Sequence, residues 1–275
     1  MLRVASGSVH TSAVLHEFAR FGGKQVRACL FGIVMLTLML VTHRAYPDWM
    51  PLYRYDFLFL AALAAQAVLL ACRMETPEEA RVIALYHVIG TVMELFKTGA
   101  GSWVYPEPSV FHIGGVPLFS GFMYSCVGSY LCRVWRLFDF KFTGHPAQSS
   151  LAILSALIYC NFFAHHWLPD IRLALFALTI ALFLRTRVHF RVWRVYRSAP
   201  LLPGFALIAL LIWIAENIGT YSRAWIYPSQ MHGWEPVSLA KMGSWFLLMI
   251  ISYALVAMMN KPATHSAHNQ RIVSP

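Results

Sequence analysis

The sequence predicts an all-α protein, a polytopic membrane bundle of about eight transmembrane helices built as two parallel four-helix repeats. Three observations carry this. Of the 275 residues, 58% are hydrophobic and 12% charged, and a mean hydropathy of +0.56 lies outside the range of a water-soluble domain. Apolar stretches recur at 26–42, 57–72, 80–96, 110–132, 150–168, 170–186, 200–219 and 239–259, each near the ~17 to 25 residues that a spanning helix needs. Finally, a single offset of 122 residues lays uncommon residue types of the second half over those of the first.

The elements follow in order. Residues 1–25 hold no apolar core of signal-peptide type, so they are expected to stay uncleaved in the cytoplasm. The first repeat is expected over 26–137. Its first helix is followed by His43, Pro47 and Asp48; Pro-Asp ahead of an apolar helix is an N-cap arrangement for the second. The third helix carries His87, Thr91 and Glu94 at i, i+4 and i+7, hence on one face. It closes with Thr98, Trp103, Tyr105 and Pro106, and the fourth helix follows. The second repeat is expected over 147–259. His165, Pro169, Asp170, Glu216, Thr220, Trp225, Tyr227, Pro228 and Gly243 stand where the first has His43, Pro47, Asp48, Glu94, Thr98, Trp103, Tyr105, Pro106 and Gly121. Between its second and third helices, Val188, Val192 and Val195 lie beside a stripe of Arg187, Arg191 and Arg194; this spacing predicts a basic amphipathic helix at a lipid surface. Residues 260–275 are polar, and a disordered cytoplasmic tail is expected.

The net charge of +10 does not point to nucleic acid, because the cations lie between apolar spans. Sixteen of the 22 Lys and Arg residues fall on one side of the expected topology. The positive-inside rule then places both termini in the cytoplasm of a bacterial inner-membrane protein. The five cysteines show no CxxC spacing, so they read as small packing residues with no disulfide framework.

Glu94 and Glu216 are the leading catalytic candidates, with His87 beside the first. An acidic residue inside an apolar span costs about 2.5 to 3.5 kcal/mol even on insertion scales, and such residues face a bundle interior or a polar cavity. A carboxyl there suits general acid chemistry; the competing reading is interhelical hydrogen bonding. Trp103, Tyr105, Trp225 and Tyr227 read either as an interfacial aromatic belt or, with Asn217, as pocket lining. His43, His165 and His166 with Asp48 and Asp170 hold nitrogen and oxygen ligands that would suit zinc or iron if they converged; spacing leaves the metal open. Lys97 and Arg223 lie close to the same loops, placed to neutralise the glutamates or to hold an anionic head group.

The segments 121–130 (GFMYSCVGSY), 133–140 (RVWRLFDF), 213–220 (WIAENIGT) and 225–228 (WIYP) resemble the bacterial membrane family called domain of unknown function 817, over about residues 20 to 260. The resemblance implies a membrane protein and brings no activity with it. The pattern Glu216, Gly219, Trp225 and Tyr227 is also similar to the lycopene-cyclase-like and hydratase-like membrane proteins of carotenoid biosynthesis. That similarity implies protonation of an isoprenoid double bond in an apolar cavity. The expected function is therefore an intramembrane enzyme acting on a lipid or isoprenoid, with membrane lipids as partners. The alternative is a transporter or receptor for a small solute, and a third reading has the repeated residues only knitting the bundle.

Overall fold

The computed structural model describes residues 5–264. Arg3, Arg271 and residues 265–275 of the expected tail lie outside the described residues. Chain order is α1 (Ala5–Ala45), α2 (Arg54–Ala71), α3 (Pro77–Gly99), β1 (His112–Ile113), β2 (Val116–Pro117), α4 (Phe119–Leu137), β3 (Lys141–Thr143), α5 (Gln148–Ala164), α6 (Arg172–Phe183), β4 (Arg187–Arg191), β5 (Tyr196–Pro200), α7 (Leu201–Tyr221) and α8 (Ala240–Asn260), with one 3-10 turn at Pro228–Gln230.

The fold is mostly helical. Among the described residues, five helices are long and apolar enough to cross a membrane: α1 from Val14 onward, α2, α3, α7 and α8. The helices α5 and α6 are apolar but shorter, while α4 has 19 residues that include Arg133, Arg136 and three serines. Large aliphatic side chains such as Val68, Ile153, Leu173 and Leu207 are exposed on the helix surfaces. An apolar surrounding would cover them, as in a membrane protein.

Local chemistry sets the helix ends. At the start of α3, Thr76 accepts from the Glu79 backbone N–H and the Glu79 carboxylate accepts from the Thr76 N–H, with Pro77 in the first turn; this reciprocal pairing satisfies two otherwise free donors. α3 ends when the Ser102 N–H donates to the Lys97 carbonyl across Gly101, whose φ is +71°. α7 ends the same way: the Ala224 N–H donates to the Gly219 carbonyl across Arg223, at φ +54°. Both are left-handed C-terminal turns, and the residues involved stand 122 positions apart.

Packing divides into two sets of helices. α1 and α3 lie on α4, while α5 and α7 lie on α8; α4 also meets α8, and α1 meets α7. Between the two sets, Val104 and Ile226 exchange reciprocal backbone hydrogen bonds, each N···O 3.0 Å.

Several expectations are corrected. The segment 185–197 is not a helix. β4 and β5 form an antiparallel hairpin, Arg187 facing Pro200 and Arg191 facing Tyr196, with β3 on its other edge. Residues four apart share a face in both periodicities, and the alternation of Val188, Phe190 and Val192 with Arg187, His189 and Arg191 is the strand pattern that wins. The stretch expected as a helix from 110 begins instead with the β1–β2 hairpin, turned at Gly114 and Gly115, both with positive φ, as a two-residue turn with left-handed central residues requires. α1 starts well before residue 26. Its 41 residues would extend about 60 Å at 1.5 Å per residue, and its early turns sit on the β hairpin, with Glu17 paired to Arg197 at 2.5 Å and the Lys24 ammonium bound to the Leu137 and Arg191 carbonyls. Asp48 does not cap α2, whose flanking residue is Tyr53 with no side-chain cap. Asp170, by contrast, accepts from the Arg172 N–H at the start of α6, 2.9 Å. Among the cysteines, Cys132 is buried but Cys72 and Cys160 are exposed, and none is bridged.

Candidate functional site

Glu94, on α3, and Glu216, on α7, both line one cavity of about 130 Å³ between the two helix sets. They are 6% and 3% exposed. A charge so deep is stable only when hydrogen bonds replace water. The Glu94 carboxyl accepts from Trp103 Nε1 at 2.6 Å and Tyr105 OH at 2.6 Å on one oxygen, and from Tyr124 OH at 2.8 Å on the other. Glu216 accepts from Tyr227 OH on one oxygen and from Trp245 Nε1 at 2.6 Å on the other. Each carboxyl thus has an indole and at least one phenol as donors.

The positioning is local. The left-handed turn at Gly101 or Arg223 reverses the chain, so Trp103 and Tyr105, or Trp225 and Tyr227, fold back along the helix that carries the glutamate. Trp225 and Trp103 part company here: Trp103 binds Glu94, whereas the Trp225 ring packs over Gly219, where an added Cβ would stand 2.2 Å from it. Trp245 on α8 takes the indole role for Glu216. Tyr124 reaches Glu94 across Gly90, whose missing Cβ leaves 2.5 Å to the ring.

The loops are fastened from α2. Asp56 accepts from Ser109 Oγ at 2.6 Å and from the Val110 and Phe111 N–H groups. Arg54 pairs with Glu107 at 2.6 Å and donates to the Ser222 and Arg223 carbonyls at 3.0 and 3.1 Å. Burial, followed by the neighbouring carboxylates, holds the phenols of Tyr105 and Tyr227 well above their ordinary range. They therefore remain O–H donors throughout neutral pH.

A second cavity of about 270 Å³ adjoins the first and shares Trp103, Tyr124, Glu216, Tyr227 and Trp245 with it. Its remaining wall sets Lys97, Arg172, Lys241, Asn161 and His165 among apolar side chains such as Ile158, Phe162 and Leu247. His166 accepts from the Lys97 ammonium at 3.0 Å; burial, then the Lys97 charge, depresses its pKa, which suits the neutral acceptor form.

Other candidates lie elsewhere. His87 packs on Phe122 at 4.4 Å between ring centres, with Nδ1 unpartnered, and lines neither of these cavities. His43 packs edge-on against Tyr221. Asn217, on α7, holds the segment ahead of α8, accepting from the Val237 N–H at 2.9 Å, and donates to the Trp213 carbonyl of its own helix at 2.8 Å. The Arg223 side chain lines neither cavity. Among the described residues, no three His, Cys, Asp or Glu side chains are grouped to hold a metal ion.

Sequence reasoning missed Tyr124 and Trp245, which the offset of 122 does not flag because it sets them against Phe246 and Met123. It also missed polar residues toward the sheet end. Arg133, 1% exposed, pairs with buried Glu75 at 3.0 Å; Ser129 donates to Glu75 at 2.5 Å, and Gln66 donates to its other oxygen.

Fold and site together define a helical protein compatible with a membrane, enclosing two buried carboxyls in an aromatic cavity. The family model described as "Protein of unknown function (DUF817)" matches residues 17–253, and the chain belongs to that family. It is similar to a Bacillus subtilis (strain 168) protein described as "Uncharacterized protein YoaT", 41% identical over 243 residues, which is 88% of this chain and 91% of that protein. No solved structure matches. The likeness to carotenoid-biosynthesis proteins is carried by neither the family model nor this relative.

Proposed function

We propose that the protein is an eight-span enzyme of the bacterial inner membrane, with both termini cytoplasmic, that moves protons on a lipid or isoprenoid chain. Glu94 and Glu216 are its acid and base. The single observation that carries this reading is the placing of two hydrogen-bonded carboxyls on the walls of one apolar cavity. The parallel repeat is supported by the reciprocal pairing of Val104 with Ile226, residues 122 apart. Repeat-equivalent residues can exchange equivalent bonds only across a local twofold axis.

Glu216 is the proton donor, because of the two glutamates it alone also lines the second cavity, whose lysines and Asn161 can relay a proton for its reprotonation. Its O–H bond breaks as the π pair of a substrate double bond forms a new C–H bond. The indole and phenol faces of Trp103 and Tyr124 stabilise the resulting carbocation. Glu94 then takes a proton from a neighbouring carbon, whose C–H electron pair becomes the new double bond. The sum is a double-bond migration or a cyclisation, and no oxidant is consumed. The test compares lipid extracts of membranes with no protein, the intact protein, or Glu94→Gln/Glu216→Gln at equal level. A species that appears only with the intact protein is the expected result; three matching extracts would overturn the reading.

The second reading, a proton-coupled carrier, is favoured by the Glu75–Arg133 group toward the sheet end. Solute flux that follows a proton gradient and is lost in Glu75→Gln would select it.

A further inference from the structure

The second cavity has a charge balance that the proton chemistry does not use. Three cationic side chains line it: Lys97, Arg172 and Lys241. Arg172 is paired with Asp170 at 3.1 Å, so its charge is largely answered. The two lysines are different. Lys97 is 5% exposed, and its ammonium meets His166 and the faces of Phe162 and Phe96, 4.3 and 5.9 Å from the ring centres. Lys241 lies over the Tyr227 ring at 4.4 Å and the Trp103 ring at 5.5 Å. Among the described residues, neither ammonium has a carboxylate within ion-pair distance. Cation–π contact is worth about 0.5 to 2 kcal/mol, well short of the several kcal/mol that removing an ammonium from water costs. An anion between the lysines would offset that difference.

The neighbouring cavity supplies the other half of the recognition. Its wall is built from Met35, Leu36, Met123, Val127 and Ile212 together with the aromatic rings, a surface for a hydrocarbon chain. The two chambers lie on either side of Trp103, Tyr124, Glu216, Tyr227 and Trp245, which line both. We propose that the site takes an anionic amphiphile, its head group between Lys97 and Lys241 and its apolar chain in the inner chamber beside the two glutamates. This deepens the acid–base reading and rests on it for the role of the inner chamber. It specifies a substrate with a charged end, such as a phosphate monoester, and assigns the lysines to holding that end. Neutral hydrocarbons would lack the anchor that sets which carbons face Glu216.

The test uses the full chain in an uncharged detergent and follows tryptophan fluorescence, since Trp103 and Trp245 line both chambers. The probes are dodecyl phosphate, dodecanol and inorganic phosphate. Dodecyl phosphate should bind saturably, and Lys97→Gln or Lys241→Gln should each weaken it about tenfold, the loss of one charge-assisted hydrogen bond. Lys97→Arg/Lys241→Arg should retain binding. Unchanged affinity in Lys97→Gln/Lys241→Gln, or dodecanol binding as tightly as dodecyl phosphate, overturns the proposal. Inorganic phosphate binding as tightly as dodecyl phosphate would also overturn it, by leaving a site for a small free anion. Should the glutamine variants fail to fold, the probe preferences of the intact protein decide. Glu94→Gln/Glu216→Gln separates the two ideas. If probe binding persists through the lysines while no lipid changes in the membrane comparison, the acid–base reading falls and the head-group site stands. If lipid conversion needs the glutamates but probe binding ignores the lysines, the reverse holds.

Discussion

At the scale of single residues, the site depends on groups that are absent as much as on groups that are present. Gly90 and Gly219 are bare because Tyr124 and Trp225 occupy the space of a side chain. Gly90→Ala should therefore displace the Tyr124 ring and remove one of the three donors to Glu94. Overpacking of this kind costs about 1 to 3 kcal/mol. The expected outcome is a loss of stability in denaturant titration together with a changed Tyr124 environment in near-ultraviolet circular dichroism. Gly99→Ala, where an added Cβ meets nothing within 4 Å, should change neither signal and serves as the control.

At the scale of elements, helix ends aim the chemistry. α3 and α7 close with the same left-handed turn, but one uses Gly101 and the other Arg223. A side chain in that conformation costs about 1 to 2 kcal/mol. Arg223→Gly should stabilise the protein by roughly 1 kcal/mol, because the hydrogen bonds given for Arg223 use its backbone, the N–H on the Thr220 carbonyl and the carbonyl under Arg54 and Tyr55, and both remain. Gly101→Ala should lose a similar amount, and paired unfolding curves of the two variants check the opposite signs. At the other end of α3, Thr76→Ala removes the cap and should cost about 1 kcal/mol. The same curves would show it as a smaller change than a core substitution.

At the scale of the whole molecule, two features can be tested. One is the Glu75–Arg133 pair, which joins the α2–α3 turn to α4 away from water. Arg133→Met should destabilise by about 3 to 5 kcal/mol, since it leaves a buried carboxylate without its partner; Glu75→Gln/Arg133→Met should recover much of that loss. The other is topology. With eight spans, single cysteines at Val110, Leu168 and Trp234, all exposed, should react with an impermeant thiol reagent added outside whole cells, once the native cysteines are replaced. A cysteine at Val195, in the β4–β5 turn, should react only after the membrane is opened. Labelling of both groups from one side would refute the eight-span reading.

Much of the site was legible in the chain because burial of charge in an apolar span is visible without coordinates. Glu94 and Glu216 stand out by residue type, and the offset of 122 ties Trp103 and Tyr105 to Trp225 and Tyr227. Helical class and approximate helix positions follow from hydropathy for the same reason: backbone polar groups in an apolar surrounding must be satisfied within the segment. Tertiary structure decided the rest. The partners Tyr124 and Trp245 come from helices whose facing side is set by packing, and His87, on the expected face of α3, turns toward Phe122 instead. The segment 187–200 became a hairpin because β3 offered it an edge. Lys97 and Lys241, distant in the chain, became neighbours of one cavity. Periodicity assigns a residue to a face of its own element; which other element meets that face depends on long-range contacts that no local spacing encodes.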